Sequence, residues 1–496
     1  MSLNTTIKEI DNLLEKAQEA FFIFKNFTVK QRAAFMHQVA DAIEALDDEL
    51  ITTAQAETNL PVARLQGEKG RTVGQWRGYA DALASGAVLP VRIDTALPDR
   101  QPAPRPSIRK TYTPLGPVVV FCASNFPFAF STAGGDTASA IAAGCPVIVK
   151  AHSAHPKTSG IMAAAINGVI QKAGLPEGLF GHVYSNSFEN GTYLVSHPVV
   201  KAVGFTGSHG GGKALFDLAN KRAEPIPVFA EMGSVNPVFL LEQKLNNAAE
   251  EVAKQYAASL TLGVGQFCTN PGIFVAPELP ALATFINTLA QQISATPAAP
   301  MLHKGIAAAY HTNKTTVLQQ PAVEVVAQAT EGAEGFGNAA IAITTAADFI
   351  ANKKLSQEVF GPFGLLVTYK TQEEAAAIAK ALEGQLTISI FGETEELANN
   401  KTLINIVESK CGRLLFNNFP TGVEVCYAMT HSGPYPSCSD SRFTAVGPDA
   451  IKRFARPVSY QNWPDTLLPD ELKDENVLGV WRTVNGELTK ENLAIS

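Results

Sequence analysis

From about residue 116 to 241 the chain alternates short β-branched runs with Ala/Gly-rich stretches of helical length, and this pattern restricts the fold more than any other feature. Strands are expected at 117–123, 146–150, 179–184, 199–205 and 225–231, with helices at 133–143, 159–173, 191–197 and 213–221 between them. Strand–helix alternation builds βαβ units, and therefore a parallel sheet covered on both faces. A run such as Val118-Val119-Val120-Phe121 suits a strand buried on both sides. A second series follows, with strands expected at 237–241, 272–276, 340–344, 364–369, 386–391 and 413–416 and helices at 248–260, 373–383 and 395–406. The fold class is therefore α/β with two parallel-sheet domains. Two segments fit neither series. Asp94–Pro106 is rich in Pro and Arg and predicts an extended excursion or edge hairpin, and the tail from Pro457 mixes turns with short apolar pieces.

Composition removes several classes of function. With 46% hydrophobic and 17% charged residues, the 496-residue chain is too apolar to be disordered. Its 39 Lys+Arg against 46 Asp+Glu leave −7, with no basic run, which speaks against nucleic acid as a partner. No apolar stretch reaches the roughly 18 residues of a membrane span. The first 26 residues read as an amphipathic helix without a signal-peptide core. A cytoplasmic protein is expected. The six cysteines, Cys122, Cys145, Cys268, Cys411, Cys426 and Cys438, show neither CxxC pairs nor clustering, so neither a disulfide scaffold nor a metal site is expected.

Four places carry chemistry. The loop Gly207-Ser208-His209-Gly210-Gly211-Gly212-Lys213-Ala214 follows a strand and opens a helix, as a phosphate-binding turn does. Ala214 stands where a nucleotide hydrolase needs a hydroxyl for Mg²⁺, so a dinucleotide pyrophosphate suits the turn better than a nucleoside triphosphate. A turn chosen only for its backbone angles is the plain alternative. Cys268 lies in the polar, Gly-flanked loop Val264-Gly265-Gln266-Phe267-Cys268-Thr269, where a nucleophile has access and flexible neighbours; a buried structural thiol is the competing reading. Glu231 ends an apolar strand at the edge where parallel sheets collect ligands, a position for a general base or for a structural ion pair. Asn125 follows the strand 118–123 and can donate its amide to an oxyanion or shape a turn.

Together Asn125-Phe126-Pro127, Lys150, Phe205-Thr206-Gly207-Ser208, Glu231-Met232-Gly233, Gly265-Gln266-Phe267-Cys268 and Glu358-Val359-Phe360-Gly361-Pro362 resemble the aldehyde dehydrogenase superfamily in order and spacing. Glu57-Thr58-Asn59-Leu60-Pro61, the Cys268 loop and His431-Ser432-Gly433-Pro434-Tyr435-Pro436 are most similar to its branch of 2-oxoglutarate semialdehyde (2,5-dioxovalerate) dehydrogenases, close to NADP-dependent fatty aldehyde dehydrogenases. The resemblance implies a Rossmann-like dinucleotide-binding domain over 1–94 and 113–234, also doubly wound, and a catalytic thiol domain over 235–440. It implies a small β oligomerisation element from 95–112 and 457–496, and a homodimer or homotetramer. It implies Cys268 as nucleophile, Asn125 as oxyanion donor, Glu231 as the base that activates water, and His431 as a further base, for which a loop or interface histidine is the alternative. It places Ser124, Lys150, Ser153, Gly207, Ser208, Glu358 and Phe360 around NAD or NADP. Ser153 stands where NAD-preferring members carry Glu, so the repulsion of a 2′-phosphate is absent and NADP is the expected preference.

The expected substrate is a small aldehyde. A dioxovalerate has a far carboxylate, for which Arg71 and Arg77 on a predicted helix are candidates. A mouth lined by Phe126, Phe128 and Phe267 would instead favour a medium- or long-chain aldehyde. A cysteine acyl hydrolase without a dinucleotide and a catalytically idle binding protein are the remaining alternatives.

Overall fold

The computed structural model describes residues 4–493; Met1–Leu3 of the expected N-terminal helix and Ala494–Ser496 of the tail lie outside the described residues. The first series folds as a five-stranded parallel sheet. Its order is Phe180–Val183, Val147–Lys150, Val118–Phe121, Ala202–Thr206, Val228–Glu231. Val118 and Val119 are fully buried, so the apolar run sits between helices on both faces, as its composition requires. The order reverses beside Val118–Phe121, and ligands collect at such a switch point, at the strands' C-terminal ends. Ser124, Asn125, Lys150, Gly207 and Glu231 all stand at or just beyond those ends.

The second series forms a seven-stranded sheet in the order Glu324–Gln328, Ala340–Thr345, Phe363–Tyr369, Ile273–Pro277, Val238–Leu240, Gln385–Phe391, Cys411–Phe416. All pairings are parallel except that of the Glu324–Gln328 edge. Apolar clusters cover both faces, so this unit too is doubly wound. Two of its helices, Pro280–Ala295 and Lys304–Leu318, go beyond the sequence expectation. The single helix expected over 395–406 is two, Thr394–Asn399 and Lys401–Glu408, broken at Asn400, whose side-chain amide donates back to the Glu396 carbonyl.

The Pro/Arg-rich excursion and the tail meet in a third sheet, ordered Ala455–Gln461, Ile108–Pro114, Arg92–Asp94, Arg482–Val484, Glu487–Thr489. A bridge between Leu97 and Arg105 closes the excursion. Outside the sheets, helix Val62–Ala84 packs on Val29–Glu44 and Gly135–Ala143. No helix among the described residues is long and apolar enough to cross a membrane.

One crossing positions the site. After Cys411–Phe416 the chain returns to the first sheet, where Cys438 pairs with Glu231 in an antiparallel bridge and Met232 N–H donates to the Ser437 carbonyl at 2.7 Å. The returning loop lies so close to the second sheet that a side chain at Gly412 would strike the Ser432 carbonyl, and one at Gly384 the Pro434 carbonyl. His431 is thereby carried to Glu231, 200 residues away in sequence.

Candidate active site

Cys268 sits in a loop fixed by its main chain. After helix Glu242–Thr261, residues Gly263, Val264 and Gly265 take φ of 55°, 59° and 64°, three successive left-handed residues. For β-branched Val264 this conformation is strained, a feature that clusters at functional sites. Asn236 ties down the far side, its Nδ2 donating to the Cys268 carbonyl at 2.9 Å and to the Asn270 carbonyl at 3.0 Å. Asn236 is itself held through its N–H by Gln385 Oε1.

The side chain of Cys268 meets two groups. Its Sγ lies 3.6 Å from His431 Nε2, which in turn lies 3.1 Å from Glu231 Oε1. Glu231 Oε2 is also 3.1 Å from Nε2 but makes no aligned hydrogen bond and has no other partner. Both side chains are almost wholly buried. Burial, with the Glu231 carboxylate beside it, pushes the thiol well above its ordinary range, while the Arg71 charge pulls it down. Among the described residues, Nε2 of His431 is the one imidazole atom that faces both the thiol and the carboxylate, and it can pass a proton between them. Asn125, 9% exposed, donates Nδ2 to the Gln266 carbonyl at 3.2 Å, two residues before the thiol.

Helix Val62–Ala84 presents one face to this loop. Arg64 Nη2 donates to the Asn125 carbonyl at 2.8 Å, and its guanidinium is stacked between Phe126 and Phe267, 4.7 and 4.5 Å from their centroids. Glu68 Oε1 accepts from the N–H groups of Phe128 and Ala129 at 2.8 and 3.0 Å. Burial holds the Glu68 carboxyl above its usual range. Arg71 lies over Phe126 and Phe130, and the Phe130 ring in turn neighbours His431. Arg71 Nε and Nη2 are buried without a partner. Arg64 and Glu68 went unrecognised in the sequence. Arg77 is a correction: Asp41 and Glu44 hold its guanidinium on the outer face at 2.8 and 2.7 Å. Six residues turn a helix by roughly 600°, which puts Arg77 about 120° away from the Arg71 face.

Ser124, Lys150, Ser153, Gly207 and Ser208 stand at the C-terminal ends of the first sheet and at the loops beyond them. Ser208 caps helix His209–Asn220 by accepting from Gly211 N–H, and Gly207 to Gly210 are exposed, leaving the helix N-terminus open to an anion. A side chain at Gly207 would collide with the Phe205 ring. Lys150 is half-buried at its strand end, Ser124 is half-buried near the switch point, and Ser153 is exposed. A cleft is lined by Ser234, Gly265, Phe267, Asn270, Glu358 and Phe360. A Cβ on Gly233 would lie 2.6 Å from Glu358 Oε2, so the glycine leaves that carboxylate its place. Burial pushes Glu358 up to about 7. An open helix N-terminus, a glycine turn and a cleft beside the thiol fit a nicotinamide dinucleotide.

The aldehyde dehydrogenase family profile matches residues 3–454. The chain is 47% identical over 480 residues to alpha-ketoglutaric semialdehyde dehydrogenase 2 of Azospirillum brasilense, covering 97% of this chain and 91% of that one. It is 44% identical over 488 residues to alpha-ketoglutaric semialdehyde dehydrogenase of Acinetobacter baylyi, covering 98% and 92%. Among solved structures, succinic semialdehyde dehydrogenase from Streptococcus pyogenes in complex with NADP⁺ shares the fold, with a TM-score of 0.75 at 19% identity over 92% of this chain and 95% of that one.

Proposed function

This chain belongs to the aldehyde dehydrogenase family, and on that premise we propose that it oxidises 2,5-dioxovalerate to 2-oxoglutarate. His431 takes the proton of the Cys268 thiol, and Sγ adds to the aldehyde carbon. The Asn125 amide and the Cys268 N–H stabilise the oxyanion of the thiohemiacetal; one such donor is typically worth about 10²–10³ in rate. Lys150, Gly207, Ser208, Glu358 and Phe360 would hold a nicotinamide cofactor, which would supply the hydride acceptor when bound. With the hydride lost from the former aldehyde carbon to that acceptor, the C–O bond regains its double character and leaves a thioester on Sγ. Glu231, with His431 beside it, then accepts a proton from water as it attacks the thioester, and the acid departs as Sγ–H is restored.

The observation that carries the substrate is the side edge of Arg71. Nε and Nη2 form the fork that meets a carboxylate through two parallel hydrogen bonds, and here both are buried and unpartnered beside the thiol. Such donors are costly to leave unmade, and a carboxylate one short chain away from the aldehyde satisfies them. Replacing Arg71 with Met should lower kcat/KM for 2,5-dioxovalerate by on the order of 10²-fold and leave hexanal oxidation within a factor of a few. The aromatic lining of Phe126, Phe130 and Phe267 favours a second reading, a medium- or long-chain aldehyde. A wild-type preference for hexanal, unaltered by Arg71→Met, would choose that one.

The exposed hydroxyl of Ser153 and the half-buried Lys150 support a preference for NADP over NAD. Ser153→Glu should then cut kcat/KM with NADP at least about tenfold and spare NAD; a wild type equally efficient with NAD would dismiss the preference. In this reading the first sheet's half binds the dinucleotide and the second carries the thiol. The third sheet, with exposed Trp481 and Leu488, joins copies into a homodimer or homotetramer. All six cysteines are free, which suits a cytoplasmic setting.

A further inference from the structure

We propose that Cys268, His431 and Glu231 also form a binding site for a thiophilic divalent cation, zinc foremost, which caps the nucleophile and holds the enzyme reversibly inactive. Their donor atoms all lie within 4.8 Å of one another, and this is the one such group among the described residues. A tetrahedral zinc with Zn–S about 2.3 Å and Zn–N about 2.0–2.1 Å sets sulfur and nitrogen about 3.5 Å apart; Sγ and Nε2 are 3.6 Å apart. The corresponding nitrogen–oxygen span is about 3.4 Å, against 3.1 Å here, and the third edge, from Sγ to the carboxylate, falls within the 4.8 Å that bounds the group, so closing the thiol toward Glu231 completes a three-ligand site with its fourth position open.

A second, independent observation is the orphaned oxygen. Glu231 Oε2 is buried, has no hydrogen-bond partner and points into the same cluster. A cation beside it offsets the cost of an unpaired carboxylate oxygen. Sulfur, imidazole and carboxylate together select zinc, cobalt or cadmium over magnesium and calcium, which prefer all-oxygen shells. On binding, the thiol proton leaves to solvent and the sulfur lone pair is engaged by the metal, so it no longer attacks an aldehyde; no electron is transferred. The ligands are separated by 200 and 163 residues, so no sequence spacing announces them.

The test uses the full-length protein stripped with a chelator, without cofactor or aldehyde, and titrated with Co²⁺ alone. One equivalent should give the near-ultraviolet thiolate-to-cobalt band and the strong visible bands of a four-coordinate ion, both displaced by Zn²⁺. Cys426→Ser, which alters an exposed thiol, should keep the spectrum. His431→Asn and Glu231→Gln should each weaken binding at least about tenfold, and the pair keeps the test open if one variant does not fold. A six-coordinate spectrum without a thiolate band would overturn the proposal, as would a band unchanged in both variants. With whichever aldehyde the enzyme oxidises, free Zn²⁺ on the order of micromolar should at least halve the rate and a chelator should restore it. Full activity with the metal bound would equally overturn it. None of these readouts depends on dioxovalerate being the substrate.

Discussion

Replacing Cys268 with alanine is expected to lower aldehyde oxidation by at least about 10⁴-fold, to the background rate. Among the described thiols only that of Cys268 lies within hydrogen-bond reach of the His431 imidazole. Cys122 and Cys145 are buried against the Thr132 hydroxyl and the Phe454 carbonyl, and Cys426 is exposed. The loop itself should survive, because Asn236 holds it through the carbonyl of residue 268 and the left-handed turn at 263–265 precedes the mutated position. Cofactor-induced stabilisation in a thermal melt should therefore match the wild type. The measurement is turnover by absorbance alongside that melt. Residual activity within tenfold of the wild type would move the covalent step to another residue.

Glu231→Gln should produce a different failure. Acylation needs Sγ, His431 and Asn125, all of which remain, so one equivalent of reduced cofactor should appear per active site in a rapid first phase. The steady state should then fall by about 10²–10⁴-fold, since the amide cannot take the proton of the attacking water. Stopped-flow absorbance separates the two phases. If the first turnover slows as much as the steady state, the carboxylate acts on the thiol through His431 and not on the water.

The strands were legible because parallel strands buried on both faces read as continuous apolar runs. Asn125 and Glu231 were legible because they stand where those runs stop, the edge at which an α/β sheet meets its ligand. The contact of His431 with Glu231 was not, since it depends on a returning loop and one antiparallel bridge with no local signature. Helix Pro280–Ala295 did have a signal: Leu282, Phe285, Leu289 and Ile293 are its buried residues, spaced as one helical face, with Thr and Gln diluting the other. Arg64 had one as well. It lies seven residues before Arg71, about 20° from the same line on a helix, and that spacing would have favoured it over Arg77. What the sequence withheld was which face of the helix looked inward.

That face has a further consequence for how such an enzyme changes over generations. Arg64 and Arg71 reach the site from a helix outside both large sheets, whereas the thiol, carboxylate and imidazole are locked into sheet ends and the loop between them. If Arg71 meets the far carboxylate as proposed, a change at that one position alters the preferred tail of the aldehyde while the thiol, carboxylate and imidazole stay in register, whereas Arg64 is tied to the Asn125 carbonyl. Glu68, tying that helix to the Phe128–Ala129 turn, marks the limit of this freedom: a lineage that lost it would loosen the helix and the turn beyond Asn125 together.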